Sequence, residues 1–138
     1  DIVIAASIIE REAGIPEDMP LVSSVIYNRL DKGMALQMDS VVSYILQEDK
    51  VNLTYADIAV ESDYNPYKNT GLPPGPICSP GINAIKAAIS PAKTDYLYFV
   101  VSEKLDGSAA FSSDYNQFLK DKDAYYKAYK KAESEKEN

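Results

Sequence analysis

The chain has 138 residues, 46% hydrophobic and 25% charged, a length and balance that suit one globular domain with one core. Its net charge of −7 argues against nucleic acid or an anionic membrane surface as the main partner. Histidine is absent, which removes His triads, His metal sites and His general bases together, and the single cysteine, Cys78, excludes an intrachain disulfide.

Residues 2–13 read as a helix, because Ile4, Ala5, Ile8 and Ile9 recur at helical spacing; Gly14 is placed as its C′ residue. Pro16 and Pro20 mark a turn and a second helix reaching about Lys32, closed by Gly33. Its face of Leu21, Val22, Val25, Ile26 and Leu30 is expected to pack on the first helix. Residues 34–38 read as a short extended piece. Asp39 then reads as the N-cap of a helix carrying Val41, Val42, Ile45 and Leu46, and Thr54 as the cap of a short helix from Tyr55 to Val60.

Five prolines and two glycines fall between Pro66 and Pro80, so residues 61–80 form neither helix nor central strand but a stiff irregular loop. Its Tyr and Asn residues suit the wall of a binding cleft; packing as a loop with no ligand role is the competing reading. Cys78 reads as a small half-buried residue of this loop. A helix is expected from Gly81 to Ser90 with Ile82, Ile85, Ala88 and Ile89 inward. Tyr96 to Ser102 is the clearest strand, Asp106-Gly107 a turn, and residues 109–113 pair back as a hairpin. A last helix starts near Asp114 and bears Tyr115, Phe118, Leu119, Tyr125, Tyr126 and Tyr129, with residues 130–138 as a charged, frayed tail. The sum is a mainly helical α+β domain with a small antiparallel sheet. No apolar run approaches the ~20 residues of a membrane span. The chain starts within a helical pattern and without Met, which reads as a domain of a longer protein.

Glu12 is the acid that stands out. It lies four residues after Ile8 and three after Ile9, on the same apolar stripe. A carboxylate there is costly unless neutral or partnered, and partial burial raises its pKa toward what a general acid needs. Spacing alone leaves open a solvated Glu at a helix end. Glu10 is turned roughly 200° away, beside Val3 and Ala6, as a surface charge or a partner to Arg11 or Arg29.

The sequence offers no phosphate-binding glycine loop and no metal-ligand spacing; what remains is carboxylates and a cleft rich in Tyr and Asn, which suits sugar rings. Ordinary glycoside hydrolysis uses two carboxylates, and the best second one is Asp39, for which helix capping is the competing role. One carboxyl suffices when the nucleophile belongs to the substrate. A lytic transglycosylase works in this way: its Glu protonates the leaving glycosidic oxygen, then takes a proton from the muramic acid 6-hydroxyl, which closes onto C1.

The chain resembles the catalytic domain of the endolytic murein transglycosylases, the YceG-like group. The resemblance rests on collinear blocks spanning nearly residues 5–113: Ala5-Ala6-Ser7-Ile8-Ile9-Glu10-Arg11-Glu12, Val25-Ile26-Tyr27-Asn28-Arg29-Leu30, Gly33-Met34-Ala35-Leu36-Gln37-Met38-Asp39 and Tyr64-Asn65-Pro66-Tyr67. Gly71-Leu72-Pro73-Pro74-Gly75-Pro76-Ile77, Ser79-Pro80-Gly81, Ala84-Ile85-Lys86-Ala87-Ala88, Pro91-Ala92-Lys93-Thr94 and Tyr96-Leu97-Tyr98-Phe99-Val100 complete it. It implies a mainly helical, lysozyme-like catalytic domain over 1–129. It also implies cleavage inside peptidoglycan glycan strands to leave 1,6-anhydro-muramic ends, with no cofactor or metal. By motif position the catalytic Glu is Glu12. The stretches Gln37 to Asp39 and Tyr64 to Gly75 would border the cleft; from our own reading of the residues there we expect Gln37, Asp39, Tyr64, Asn65 and Tyr67 to touch substrate, with Glu10 and Arg29 in support. Family members are anchored outside the cytoplasmic membrane by an N-terminal helix and carry a LysM-like region before this domain; peptidoglycan synthases are the further implied partners. One departure stands out: where the family often has His-x-Phe and a following His, this chain has Ala109-Ala110-Phe111 and Tyr115-Asn116. That keeps alive a non-catalytic peptidoglycan-binding or synthase-partner module, and a hydrolase using Asp39 is a third reading.

Overall fold

The structure is a computed structural model and describes residues 1–49 and 52–136. Its elements are α1 (Ile2–Glu12), a 3₁₀ turn (Pro16–Asp18), α2 (Met19–Asp31), α3 (Asp39–Leu46), α4 (Tyr55–Ile58), α5 (Ile82–Ile89), β1 (Tyr98–Val101), β2 (Ala109–Ser112) and α6 (Tyr115–Lys136). The α+β expectation holds: helices build the body, and the two strands pair antiparallel with Tyr98 opposite Ser112 and Val101 opposite Ala109.

α1 is the central element and packs against α2, α3 and α5. Its run of buried residues, Ala5 to Ile9, meets Val22, Val25 and Ile26 of α2 and Val41 of α3 in one core cluster. Each buried Ile or Val side chain of this cluster contributes about 1.5–3 kcal/mol by leaving water. Ser7 is fully buried yet satisfied: it donates to Ile4 O at 2.7 Å and accepts from the Ile77 N–H at 3.0 Å, which ties the proline-rich loop to α1. The Cys78 thiol also points to α1, donating to Ser7 O at 3.3 Å.

The helix ends follow local chemistry with instructive differences. Gly33 ends α2 with φ +68, the left-handed conformation that glycine adopts without a Cβ penalty. Gly14 occupies the C′ place after α1 without the left-handed φ; its need is space, since a Cβ there would lie 2.1 Å from the carbonyl oxygen of Gly107 in the hairpin turn. Thr54 and Asp57 form a reciprocal capping box on α4. α4 stops at Ile58, short of the expected Val60, because the Asn65 amide donates to the carbonyls of both Ile58 (2.9 Å) and Val60 (2.7 Å). No helix or strand forms between α4 and α5, as the prolines require.

Three expectations change. On α5 the buried face is Ala84, Ala87 and Ala88, while Ile82 and Ile89 are 64% and 63% exposed and Ile85 only partly covered. Residues 82, 85 and 89 share one stripe and 84, 87 and 88 another; the small residues face in because α5 packs directly on α1 and α2. The charged segment expected to fray from residue 130 stays helical to Lys136, and residues 137 and 138 lie outside the described residues. Asp39 begins α3 as its first helical residue and Met38 takes the N-cap place, with no side-chain cap. No described helix is long and apolar enough to cross a membrane.

Candidate active site

α1 ends with Glu12 beside the start of α3. Because Met38 offers no side-chain cap, the first N–H groups of α3 need an acceptor from elsewhere. Glu12 supplies it: its Oε1 accepts from the Ser40 N–H at 3.2 Å and from the Ser40 hydroxyl at 2.8 Å. Both bonds converge on one oxygen, so an acidic proton belongs on Oε2. Burial of the carboxyl raises its pKa above the ordinary value. The two Ser40 bonds oppose that rise by favouring the ionised form, and the Asp39 charge adds to it. The result is an acid held between two environments, one selecting each protonation state.

Asp39 and Tyr67 stand beside this acid. The Tyr67 hydroxyl donates to Asp39 Oδ1 at 2.7 Å. Burial, this bond and the charges of Asp39 and Glu12 push the phenol's pKa up, against the pull of Arg29, so Tyr67 stays a neutral donor. The loop carrying Tyr67 is stitched to the segment before α3 by the Gln37 N–H, which donates to Pro66 O at 3.2 Å. Gln37 has φ 52, a left-handed conformation uncommon outside glycine, and it places an exposed side chain between the buried Leu36 and Met38.

Other expected site residues are placed differently. Asn65 is fully buried, with its amide nitrogen on the Ile58 and Val60 carbonyls and its Oδ1 accepting from the Tyr67 N–H at 2.8 Å. It shapes the loop that carries Tyr67, and no part of its side chain reaches the surface. Tyr64 is partly buried, packs on the Tyr44 ring at 5.3 Å between centroids, and sits close over Gly75. Arg29 is buried under the site: its Nε donates to Leu97 O at 2.7 Å and its Nη1 to Ala35 O at 2.8 Å and Leu36 O at 3.3 Å, with its guanidinium 5.2 Å from the Tyr98 ring centre. It holds the backbone before Gln37. Glu10 partners neither Arg11 nor Arg29; its Oε1 accepts from the Gly81 N–H at 2.7 Å, at the start of α5, and Arg11 pairs with Asp49 at 2.8 Å.

Ser40 is the site residue that sequence reasoning missed. Its signal was an uncapped helix start: with Asp39 as the first helical residue, α3 lacks an acceptor of its own. Among the described residues no cluster of His, Cys, Asp and Glu could hold a metal ion. A larger concavity, about 890 Å³, lies away from Glu12 between α2 and residues 90–95. Its polar groups join those two segments: Asn28 donates to Thr94 O and Tyr96 O, and Tyr27 to Ala88 O.

Comparison with known proteins gives a consistent set of relatives. The model of the YceG-like family matches residues 1–124. The endolytic murein transglycosylase of Bacillus subtilis (strain 168) is 44% identical over 120 residues, covering 87% of this chain and 33% of that protein. The protein of the same name from Streptococcus pneumoniae serotype 2 (strain D39 / NCTC 7466) is 39% identical over 105 residues, covering 72% of this chain and 19% of the relative. A YceG-like protein of Listeria monocytogenes, solved by crystallography, superposes with a TM-score of 0.78 at 44% identity, over 86% of this chain and 38% of that one. The chain thus spans a third or less of the curated relatives' length.

Proposed function

The chain belongs to the YceG-like family, and from that premise we propose that it carries the glycan-cleaving domain of an endolytic murein transglycosylase, with Glu12 as the proton-transfer residue. The observation that carries the reading is the Glu12 carboxyl itself. Its pKa is raised chiefly by burial, and Ser40 occupies Oε1 twice while Oε2 is left to hold a proton. Residues 1–129 are proposed as the catalytic domain, acting on peptidoglycan outside the cytoplasmic membrane.

In the first step Glu12 Oε2–H protonates the oxygen that links muramic acid C1 to the next sugar. The C1–O bond breaks, the departing sugar keeps the proton as its 4-hydroxyl, and positive charge builds at C1. In the second step the Glu12 carboxylate takes the proton of the muramic 6-hydroxyl as that oxygen bonds to C1, closing the 1,6-anhydro ring. Glu12 ends protonated, ready for another cycle. Desolvation favours the acid of the first step and the Ser40 bonds favour the carboxylate of the second. Asp39, held by Tyr67, provides negative charge near the developing cation.

Digestion of purified glycan strands with mass analysis of the ends tests this. Anhydro ends, lighter by one water than reducing ends, are expected, and Glu12→Gln should abolish them. Reducing ends would favour a second reading, hydrolysis with Asp39 as the second carboxylate, for which the adjacency of Asp39 to the Glu12–Ser40 contact is the supporting observation. Retained strand binding with no release from the wild-type chain would favour a binding module.

A further inference from the structure

Ser40 serves two spaces. It donates to Glu12, and it also lines a concavity of about 200 Å³ between the end of α1, the outer side of α3 and the proline-rich loop. Arg11, Ser43, Tyr44, Gln47, Glu48 and Asp49 are among its walls. We propose that this pocket receives the peptide stem of the muramic acid residue whose C1 is attacked at Glu12.

The proposal rests on the glycan-cleaving reading above and adds to it a substrate determinant. Two arguments carry it. The first is connectivity: in murein the stem is joined through the lactyl ether on C3 of muramic acid. When C1 of that ring lies at Glu12, the stem must leave from the same ring, within a few bonds of the acid. A space that shares Ser40 with Glu12 is where such a branch can go.

The second is chemistry and size. Sites that enclose a drug-sized ligand run to roughly 300–1,000 Å³, so this pocket suits a substituent and not a further disaccharide. A neutral sugar calls for hydroxyl and amide partners on an aromatic face. Here the walls also carry both signs of charge: Arg11 and Asp49, paired at 2.8 Å with side chains 47% and 84% exposed, and a second acid, Glu48. Arg11 uses its Nη2 on Asp49, and its planar fork can take a second carboxylate. A stem peptide has free carboxylates, amide groups and, at its dibasic residue, an amine. That zwitterionic pattern matches a wall with Arg11 for a carboxylate and Glu48 and Asp49 for the amine, with Ser43 and Gln47 for amides and the edge of Tyr44 for small apolar side chains.

Binding separates this from cleavage. With Glu12→Gln to keep the ligand intact, the chain is titrated by NMR with the GlcNAc–MurNAc disaccharide bearing its stem peptide and with the same disaccharide lacking it. The stem-bearing ligand should bind about tenfold more tightly, the effect of one charge-assisted hydrogen bond, and only it should shift the Ser43 and Gln47 amides. Arg11→Ala in the same background should bring the preference to within about twofold, and Ser43→Phe, which fills the pocket, should do the same by a different route. Equal affinity for the two ligands, or a preference that neither substitution moves, overturns the stem pocket and leaves the glycan reading standing. Failure to bind either disaccharide overturns the glycan reading and the stem pocket with it.

Discussion

Glu10 and Glu12 sit two residues apart on one helix and do the same local job: each Oε1 accepts the N–H of a residue at the start of a neighbouring helix, Gly81 for α5 and Ser40 for α3. What differs is the surroundings. The Glu10 contact lies at the outer surface, where water can share in the carboxylate's charge. The Glu12 contact is packed among α1, α3 and the loop bearing Tyr67, with the Asp39 charge nearby, and the carboxyl is pushed toward its protonated form. The same residue type in the same role is a structural staple in one place and, in the function proposed above, an acid/base in the other. Helix geometry makes the division, because two residues of separation put the two carboxylates on different faces.

The largest effect that could break this comparison is on turnover. Glu12→Gln should lower strand cleavage by at least the 10²–10⁴-fold ascribed to a general acid, measured as released ends per enzyme. It should not lower the thermal midpoint at neutral pH. A carboxyl whose folded pKa is raised contributes stability below its unfolded value and loses it as pH rises through the folded value. Gln imitates the protonated form and still accepts from Ser40. Its advantage in midpoint over the parent should therefore be present near pH 7 and absent near pH 4. A fully active Gln variant would remove Glu12 from the mechanism.

Ser40→Ala tests the device that tunes the acid. The hydroxyl bond favours the ionised form, so its loss should raise the Glu12 pKa. The first step needs the protonated acid, and the basic limb of the rate–pH profile should then move upward by as much as about one unit. Ser40→Thr, which keeps a hydroxyl, should restore the parent limb. A limb that stays fixed in a folded Ser40→Ala variant would mean that Ser40 only braces α3.

Much of this was legible in the sequence because local rules decided it. The helices of the body, the hairpin and the proline-rich loop follow from periodicity, turn residues and proline sterics. The place of Glu12 follows from the Ile8 and Ile9 stripe. What was not legible depends on contacts between distant segments. Nothing local says that Asn65 turns its amide onto Ile58 and Val60 instead of toward a ligand, or that the Asp39 carboxylate meets Tyr67, 28 residues on. The α5 stripe failed for a related reason: periodicity gives the angle between two apolar faces and not which of them meets a neighbouring helix, and the alanines won because α1 comes close. Ser40 was hidden by a shift of one residue, since reading Asp39 as the cap leaves no orphan N–H to look for.

A smaller displacement of the pH profile should come from Asp39→Asn. The Asp39 charge raises the Glu12 pKa and is the weakest of the influences on it, so its removal should move the basic limb down by a few tenths of a unit. The amide oxygen of the substituted side chain can still accept from Tyr67, which keeps the loop in place. Ser40→Ala and Asp39→Asn thus shift the same limb in opposite directions, and a shared direction would show that the profile does not report Glu12. The variants also bear on which reaction occurs. If Asp39 were the second acid of a hydrolase, Asp39→Asn would stop the release of reducing ends, whereas loss of its charge near the developing cation would slow cleavage and leave the released ends anhydro.

Glu10→Ala should have the smallest effect on turnover, within about twofold, and a distinct effect on stability. It strips the Gly81 N–H of its acceptor, and loss of such a contact at a helix start costs about 1 kcal/mol. Glu10→Gln keeps an acceptor oxygen and should cost less. Chemical denaturation measures both, and the order parent, Gln, Ala is the expected ranking. The cost should fall on the α1–α5 junction, read as faster amide exchange at Gly81 and through the first turn of α5, with Ser40 unchanged. Should Glu10→Gln instead abolish cleavage while Glu12→Gln does not, the two carboxylates have been assigned the wrong way round, and the acid belongs on the α5 side of the helix.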